Sequence, residues 1–342
     1  MTQSRSITVR TDPSYPVFIG PGALLEHPEL CASSAALLAD ERVFELYGGQ
    51  LERAGLPVHL MPEGEAAKSL AELERALDFL CGERLDRGAT LLVLGGGAAT
   101  DLGGLAASLY LRGVAWIACP TTLLAMVDAS VGGKTAVNLK SGKNLAGSFH
   151  QPSAVIADTS TMKSLSGEEY TSGLGELLKT ALIEGESSLA ALESETAGLL
   201  ERDPEVIADA VTRAVTTKAR IVAADPKELG PRKALNLGHT FAHAIEQAAG
   251  PGLIPHGVAV GVGCVLPQRC QLHLVLVGRQ ALLHAWQRGG VEPSWPQVID
   301  HAIAQELAAL AALGKTDHEA RQQLQTLTLT LTLTLTLTLT LT

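Results

Sequence analysis

Residues Thr90 to Gly104 read TLLVLGGGAATDLGG. The run Thr90–Leu94 is apolar and short, as a buried strand is, and Gly95-Gly96-Gly97 closes it before a segment, Thr100–Tyr110, with helical character. Strand, glycine turn and helix in that order predict a βα unit. A turn of this kind at a helix N-terminus presents free N–H groups to a phosphate, with Asp101 close behind. It is not the GxGxxG fingerprint, and a triple glycine serves an ordinary tight turn equally well.

The same alternation extends to both sides. Ser6–Arg10, Tyr15–Ile19, Ala35–Ala39, Val58–Met61, Ala115–Pro120 and Ala154–Asp158 read as further strands, and Glu41–Ala54 and Lys68–Leu85 as further helices. This predicts a parallel sheet covered by helices, a Rossmann-like α/β domain over residues 1–165. From about Gly167 the strand signals fade. Glu168–Glu184, Asp203–Ala224, Ala234–Ala248, Arg279–Arg288 and Pro296–Leu313 carry helical periodicity. A mostly α-helical domain is expected over 166–325, with a ligand cleft at the junction. Residues 326–342 alternate Thr and Leu without charge, Gly or Pro; this low-complexity tail suits an aggregating strand and is assigned no function.

Bulk properties narrow the class. The chain has 342 residues, 46% hydrophobic and 18% charged, which fits one large or two ordinary globular domains. Aromatics are 4%, too few for a base-stacking platform, so no nucleic-acid partner is expected. The cysteines Cys31, Cys81, Cys119, Cys264 and Cys270 are scattered and form no CxxC pair. Reduced thiols in a cytoplasmic protein are the reading. The opening MTQSRSITVR lacks an apolar core and no run of about 20 apolar residues occurs, so neither signal peptide nor membrane span is expected.

Pro120–Pro152, PTTLLAMVDASVGGKTAVNLKSGKNLAGSFHQP, forms a positive island. From Arg112 to Lys143, four cations (Arg112, Lys134, Lys140, Lys143) stand against Asp128 in a chain of net charge -10. The balance fits a site for a small anionic molecule. Gly132-Gly133 lets the backbone approach a ligand, and Lys and Asn supply donors. A solvated glycine-rich loop is the bland alternative.

In LNLGHTFAHAIE, His239 and His243 lie four apart, on one face of a helix; His256 follows in PHGVAVG, and Glu176 and Lys179 share a face in GLGELLK. Singly, each His is more often a core or surface residue. Together with a carboxylate on an apolar helix, they favour a metal site of N and O ligands with an open position. The spacing does not decide which of these imidazoles bind metal and which meet a substrate. Lys218, Arg232 and Asn236 add donors, or are solvated as most such residues are.

With GEAAKS at 64–69, GGGAATDLGG at 95–104, YLRG at 110–113, PTTLLAMVDASVGGKTAVN at 120–138, GKNLAGSFHQP at 142–152, GLGELLK at 173–179, LNLGHTFAHAIE at 235–246 and HG at 256–257, the chain resembles the 3-dehydroquinate synthase family over about Tyr15 to Gly261. The resemblance implies an N-terminal NAD domain, a helical C-terminal domain and a homodimer. It implies NAD⁺ and a divalent metal, Zn²⁺ or Co²⁺. The substrate implied is a small anionic sugar-phosphate acid, 3-deoxy-D-arabino-heptulosonate 7-phosphate, converted to 3-dehydroquinate and phosphate. Transient oxidation, phosphate elimination, re-reduction and aldol closure regenerate the NAD⁺, so the class is lyase.

By that resemblance Asp40, Glu63, Glu65, Lys68, Gly96, Gly97, Asp101, Thr121, Thr122, Lys143 and Ser164 serve the dinucleotide. Glu176, His239 and His256 hold the metal, and His243 is a substrate and proton-transfer residue. Lys134, Asn144 and Asn236, helped by Arg112 from a second subunit, take the phosphate; Lys218 and Arg232 take the carboxylate; Asp128 and Lys179 meet the hydroxyls.

The chain departs from the family pattern at Ala98-Ala99, His150 and Val258, where β-branched residues, Tyr and Glu are usual. The family's late Lys-Lys segment has only Lys315 as a counterpart. Reduced activity is expected from that ending. Two other enzyme readings share the plan: another sugar-phosphate cyclase such as 2-deoxy-scyllo-inosose synthase, and a metal-dependent polyol dehydrogenase of the glycerol dehydrogenase type. An inactive protein that binds NAD⁺ and metal is the non-enzyme alternative.

Overall fold

The computed structural model describes residues 4–27, 30, 35–51, 55–250 and 253–269. The strands are β1 (Arg5–Val9), β2 (Tyr15–Gly20), β3 (Ala36–Asp40), β4 (Val58–Met61), β5 (Thr90–Gly95), β6 (Ala115–Pro120), β7 (Lys134–Leu139), β8 (Gly142–Phe149) and β9 (Ala154–Asp158). Among the described residues the α-helices are α1 (Ala23–Glu26), α2 (Glu41–Tyr47), α3 (Leu70–Gly82), α4 (Gly97–Leu109) and α5 (Gly167–Glu184), followed by α6 (Glu186–Ser194), α7 (Thr196–Leu200), α8 (Pro204–Ala224), α9 (His239–Ala249) and α10 (His256–Arg269). Two compact units result: Met1–Gly173 with Ser194–Lys227, and Leu174–Glu193 with the chain from Glu228 onward. The chain passes from one to the other inside α5.

The first unit is built on a seven-stranded sheet in the order β1-β2-β9-β6-β5-β3-β4. The β1–β2 pair is antiparallel and every other pairing is parallel. Every residue of β3 and β9 is buried, as in strands covered on both faces. One face packs Leu37, Leu92, Leu94, Ile117 and Ile156 against Ala23, Leu24 and Leu51. On the other face α4 lies close: a Cβ on Gly103 would sit 2.5 Å from Val93 Cγ1, so the helix approaches as glycine allows. Asp40, Ser69 and Asp203 accept N–H groups at the starts of α2, α3 and α8, each cap worth about 0.5–2 kcal/mol.

The α/β reading holds, with local differences. The helix expected over Glu41–Ala54 ends at Tyr47, where Gly48-Gly49 interrupts it and a 3₁₀ turn follows. The Pro120–Pro152 stretch contains a two-stranded hairpin, β7–β8, that the sequence reading did not foresee. Lys140-Ser141, which joins Leu139 to its partner Gly142, is not a hairpin turn dipeptide, and Gly, Lys and Asn are poor strand formers.

In the second unit the expected Ala234–Ala248 helix divides. Pro231–Asn236 is 3₁₀, and α9 starts only after Gly238, whose φ of 78° breaks the path. Helices α6, α7 and α10 were not among the sequence candidates; α6 is short and lies just past Gly185, whose φ is 120°. Arg279–Arg288, Pro296–Leu313, Lys315, Cys31, Cys270 and the Thr-Leu tail lie outside the described residues. Among the described residues no helix is long and apolar enough to cross a membrane.

Candidate active site

In the first unit the C-terminal ends of three parallel strands come together. Asp40 ends β3, Gly95 ends β5 and Pro120 ends β6, with Gly95 opposite Pro120 in register. Open α/β sheets bind ligands at this end. The Thr121 N–H donates to the Gly95 carbonyl at 2.9 Å. A Cβ on Gly95 would lie 3.0 Å from Asp40 Cβ, and one on Gly96 3.0 Å from Thr122 Cγ2. Asp40, Gly96, Gly97, Thr121 and Thr122 therefore gather around the start of α4, whose first N–H groups have no helical acceptor. The Thr121 hydroxyl is buried there with no hydrogen-bond partner among the described residues. A buried orphan hydroxyl beside a glycine turn fits a bound polar group such as a nucleotide phosphate or ribose.

Lys68 joins the turn to the hairpin. Its ammonium lies 2.5 Å from Asp101 Oδ2 and 2.5 Å from Asn144 Oδ1. The Asn144 N–H donates to Asn138 Oδ1, and Asn138 Nδ2 donates to Glu65 Oε1 at 2.6 Å. Burial pushes the Asp101 carboxyl above its usual range, partly offset by the Lys68 charge. Asn144 thus sits with Lys68 and Asp101, in a left-handed conformation (φ 57°) that Asn tolerates. Lys143 is exposed next to it. Gly64 N–H donates to Asp40 Oδ2 at 3.2 Å, with Glu63 exposed one residue earlier. Ser164 Oγ is 2.6 Å from the Tyr47 hydroxyl.

Lys134 opens β7 and is exposed after Gly132-Gly133, both at positive φ. Tyr15, a residue the sequence reading passed over, accepts the Gly132 N–H on its buried hydroxyl at 3.0 Å. Asp128 stands in a π-helical turn, Ala125–Ala129. The buried Lys218 ammonium of α8 donates to both the Asp128 carbonyl and its carboxylate. Arg112 is exposed at the end of a 3₁₀ turn, with Leu111 and Arg112 both at positive φ.

In the second unit α5, α9 and α10 supply Glu176, His239 and His256, whose ligand atoms all lie within 4.8 Å of one another. Glu176 Oε1 is 3.9 Å from His239 Nε2 and 3.8 Å from His256 Nε2. Glu176 is fully buried, and neither carboxylate oxygen meets hydrogen-bond geometry within the described residues, although Lys179 Nζ is 2.5 Å from Oε2. Glu176 and Lys179 form a buried ion pair. A buried carboxylate facing two imidazoles across 3.8–3.9 Å fits a divalent cation of the Zn²⁺ type with N and O ligands. His243 is exposed, its ring centroid 5.8 Å from that of His239 and 6.2 Å from that of His256.

Packing brings these ligands together. A Cβ on Gly175 would stand 1.9 Å from the Gly257 carbonyl oxygen, so α5 and α10 touch backbone to backbone beside Glu176 and His256. Arg232 is buried, and Asn236 Nδ2 donates to Glu228 Oε1 at 2.6 Å.

A parallel α/β unit with a glycine turn and a helical unit with a Glu-His-His group define the dehydroquinate-synthase-like class of folds. Residues 58–172 match the family profile described as 3-dehydroquinate synthase N-terminal, and residues 173–315 match 3-dehydroquinate synthase C-terminal. The 3-dehydroquinate synthase of Halorhodospira halophila is 43% identical over 310 residues, 87% of this chain and 86% of that one. That of Xylella fastidiosa is 45% identical over 285 residues, 78% and 77% of the two chains. A 2-epi-5-epi-valiolone synthase from Streptomyces hygroscopicus, solved with NAD⁺ and Zn²⁺ bound, superposes with a TM-score of 0.69 at 28% identity, over 87% of each chain. The chain belongs to the 3-dehydroquinate synthase family.

Proposed function

We propose that this protein is a 3-dehydroquinate synthase, a phosphate lyase that converts 3-deoxy-D-arabino-heptulosonate 7-phosphate to 3-dehydroquinate and phosphate. The Glu176–His239–His256 group carries the reading, in a chain 43–45% identical to synthases of that name. The lower identity to the valiolone synthase, 28%, favours this substrate over that of another sugar-phosphate cyclase. The NAD⁺ and Zn²⁺ bound to that neighbour support the same cofactors here.

Bound NAD⁺ and metal would supply transient removal and return of a hydride from the substrate and polarisation of the hydroxyl concerned. The chain's residues do the rest. Asp40, Glu63, Glu65, Lys68, Gly96, Gly97, Asp101, Thr121, Thr122, Lys143 and Ser164 bind and orient the dinucleotide. In the first unit Lys134 and Asn144 take phosphate, with Arg112 reaching a second copy, and Lys218 orients Asp128 toward a hydroxyl. In the second unit Glu176, His239 and His256 hold the metal and Lys179 balances Glu176. His243 moves a proton, Arg232 takes the carboxylate, and Asn236 assists the phosphate. Several cationic contacts on one small anion hold each intermediate in reacting geometry.

The working form is a cytoplasmic homodimer of domains 1–165 and 166–325, slower than family members that keep the late lysine pair. Phosphate release from the heptulosonate phosphate should require NAD⁺ and stop with a chelator. Release from glucose 6-phosphate instead, or net NADH formation from a polyol, would replace this reading.

A further inference from the structure

The two imidazoles that face Glu176 are oriented from behind by different acceptors. His239 Nδ1 lies 3.2 Å from the Leu237 carbonyl, which the buried Cys264 thiol also meets at 3.7 Å. That acceptor is backbone and fixed. His256 Nδ1 lies 3.3 Å from Glu246 Oε1 instead. In each ring the opposite nitrogen, Nε2, is the one turned to Glu176. An acceptor at Nδ1 holds its proton and leaves the Nε2 lone pair for a cation.

Glu246 sits on α9, three residues after His243 and seven after His239, on one helix face. It reaches across to the first residue of α10, His256. The pair is only partly covered: His256 is 37% exposed and Glu246 22%. His256 therefore lacks the tight burial that holds Glu176, and a second contact has to keep its ring in place. The same carboxylate also forms a second close group with His243 and His256.

We propose that Glu246 is a positioning residue of the metal centre: it fixes the His256 ring and tautomer so that Nε2 faces Glu176. The proposal rests on the metal reading of Glu176, His239 and His256, and it adds a carboxylate–histidine–metal relay to that group. The acceptor behind His256 is a carboxylate, whereas the one behind His239 is a backbone carbonyl. Loss of such partners typically weakens metal binding about 10- to 100-fold.

The test is chelator competition for Zn²⁺ on the full chain, with the absorption of the Co²⁺-loaded protein as a second readout. Glu246→Ala should weaken Zn²⁺ about 10- to 100-fold and change the Co²⁺ spectrum. Glu246→Gln, which keeps an acceptor oxygen without the charge, should recover part of the loss. In a His256→Ala background, Glu246→Ala should cost nothing further, because its target is gone. Equal Zn²⁺ affinity in Glu246→Ala and the parent, while His256→Ala binds Zn²⁺ more weakly, overturns this proposal and leaves the metal reading standing. A parent that binds no Zn²⁺ overturns both. An undiminished further loss in the His256→Ala background means that Glu246 acts on the fold alone, and also overturns it.

Discussion

Glu176 and Lys179 stand one turn apart on α5 with 2.5 Å between carboxylate and ammonium, and water reaches neither: their side chains are 0% and 2% exposed. Two opposite charges held this way offset each other's desolvation, and each is costly alone. Glu176→Gln should cost about 3–5 kcal/mol, because the Lys179 ammonium stays buried without its counter-charge. It should also abolish the response to metal. Zn²⁺ at about 100 times its Kd should stabilise the parent by about 2.7 kcal/mol. Thermal melts with Zn²⁺ and with chelator read both effects. A Glu176→Gln protein that still gains stability from Zn²⁺ excludes Glu176 as a ligand.

Gly175→Ala tests the backbone contact that brings the ligands together. The added methyl would stand 1.9 Å from the Gly257 carbonyl oxygen, and no side chain is there to yield. The two helices must separate, at a cost of about 1–3 kcal/mol. Zn²⁺ affinity should fall with stability, since Glu176 and His256 adjoin the contact. Gly167, on the same helix, has nothing within 4 Å of its virtual Cβ, so Gly167→Ala should be neutral or slightly stabilising. Equal effects of the two changes on zinc binding would contradict the packing argument.

How far the sequence carried the reading depends on what each signal encodes. The apolar runs of β6 and β9 gave their bounds to the residue, because a buried parallel strand is a continuous apolar run. The β7–β8 hairpin stayed hidden because Gly, Lys and Asn are poor strand formers and its turn lacks Gly or Asn. Glu176, His239 and His256 were legible as candidates from composition and helical spacing. Spacing alone did not tell which two imidazoles face Glu176, because that depends on α5, α9 and α10 packing within their unit; only the family resemblance singled out His239 and His256. Tyr15 offered no signal at all: a Tyr in a β-like run reads as core, and only the fold aims its hydroxyl at Gly132. Glu246 had one, the i+3 spacing from His243, which went unused.

Lys68 is shared between Asp101 and Asn144, both at 2.5 Å. A hydrogen bond to a charged group contributes about 1.5–3 kcal/mol, so Lys68→Met should weaken NAD⁺ binding by about tenfold or more. The Asp101 carboxyl, already raised by burial, should rise further once its cation is gone. Calorimetric titration with NAD⁺ checks the first claim. Undiminished affinity in Lys68→Met would remove this group from the nucleotide site.

Burial pushes the Tyr170 phenol up to about 12, against the weaker pull of Arg202, whose guanidinium stacks 4.5 Å from the ring centroid. The hydroxyl donates to the Leu199 carbonyl at 2.6 Å. The folded state holds this proton more tightly than the unfolded chain, where a phenol titrates near pH 10. The stabilisation is therefore complete below about pH 10 and is lost as pH rises toward about 12. Unfolding curves should show the parent losing stability over that window relative to Tyr170→Phe. Parallel curves for the two proteins across the window would place the phenol outside the core.

Lys218 and Asp128 supply the last expectation. The buried ammonium of α8 donates to the carbonyl and the carboxylate of Asp128, so part of its bonding capacity is spent inside the protein. If Lys218 acts mainly through Asp128, Lys218→Met and Asp128→Asn damage one function, and the double variant should be little worse than the poorer single one. If Lys218 mainly clamps the substrate carboxylate, the two losses should multiply. The geometry favours the first outcome, with kcat/KM reduced about 100-fold or more in each single variant, as for a charged contact that orients a reacting group. Steady-state phosphate release from the two single variants and the double variant decides between them, and multiplicative losses would return Lys218 to the carboxylate alone.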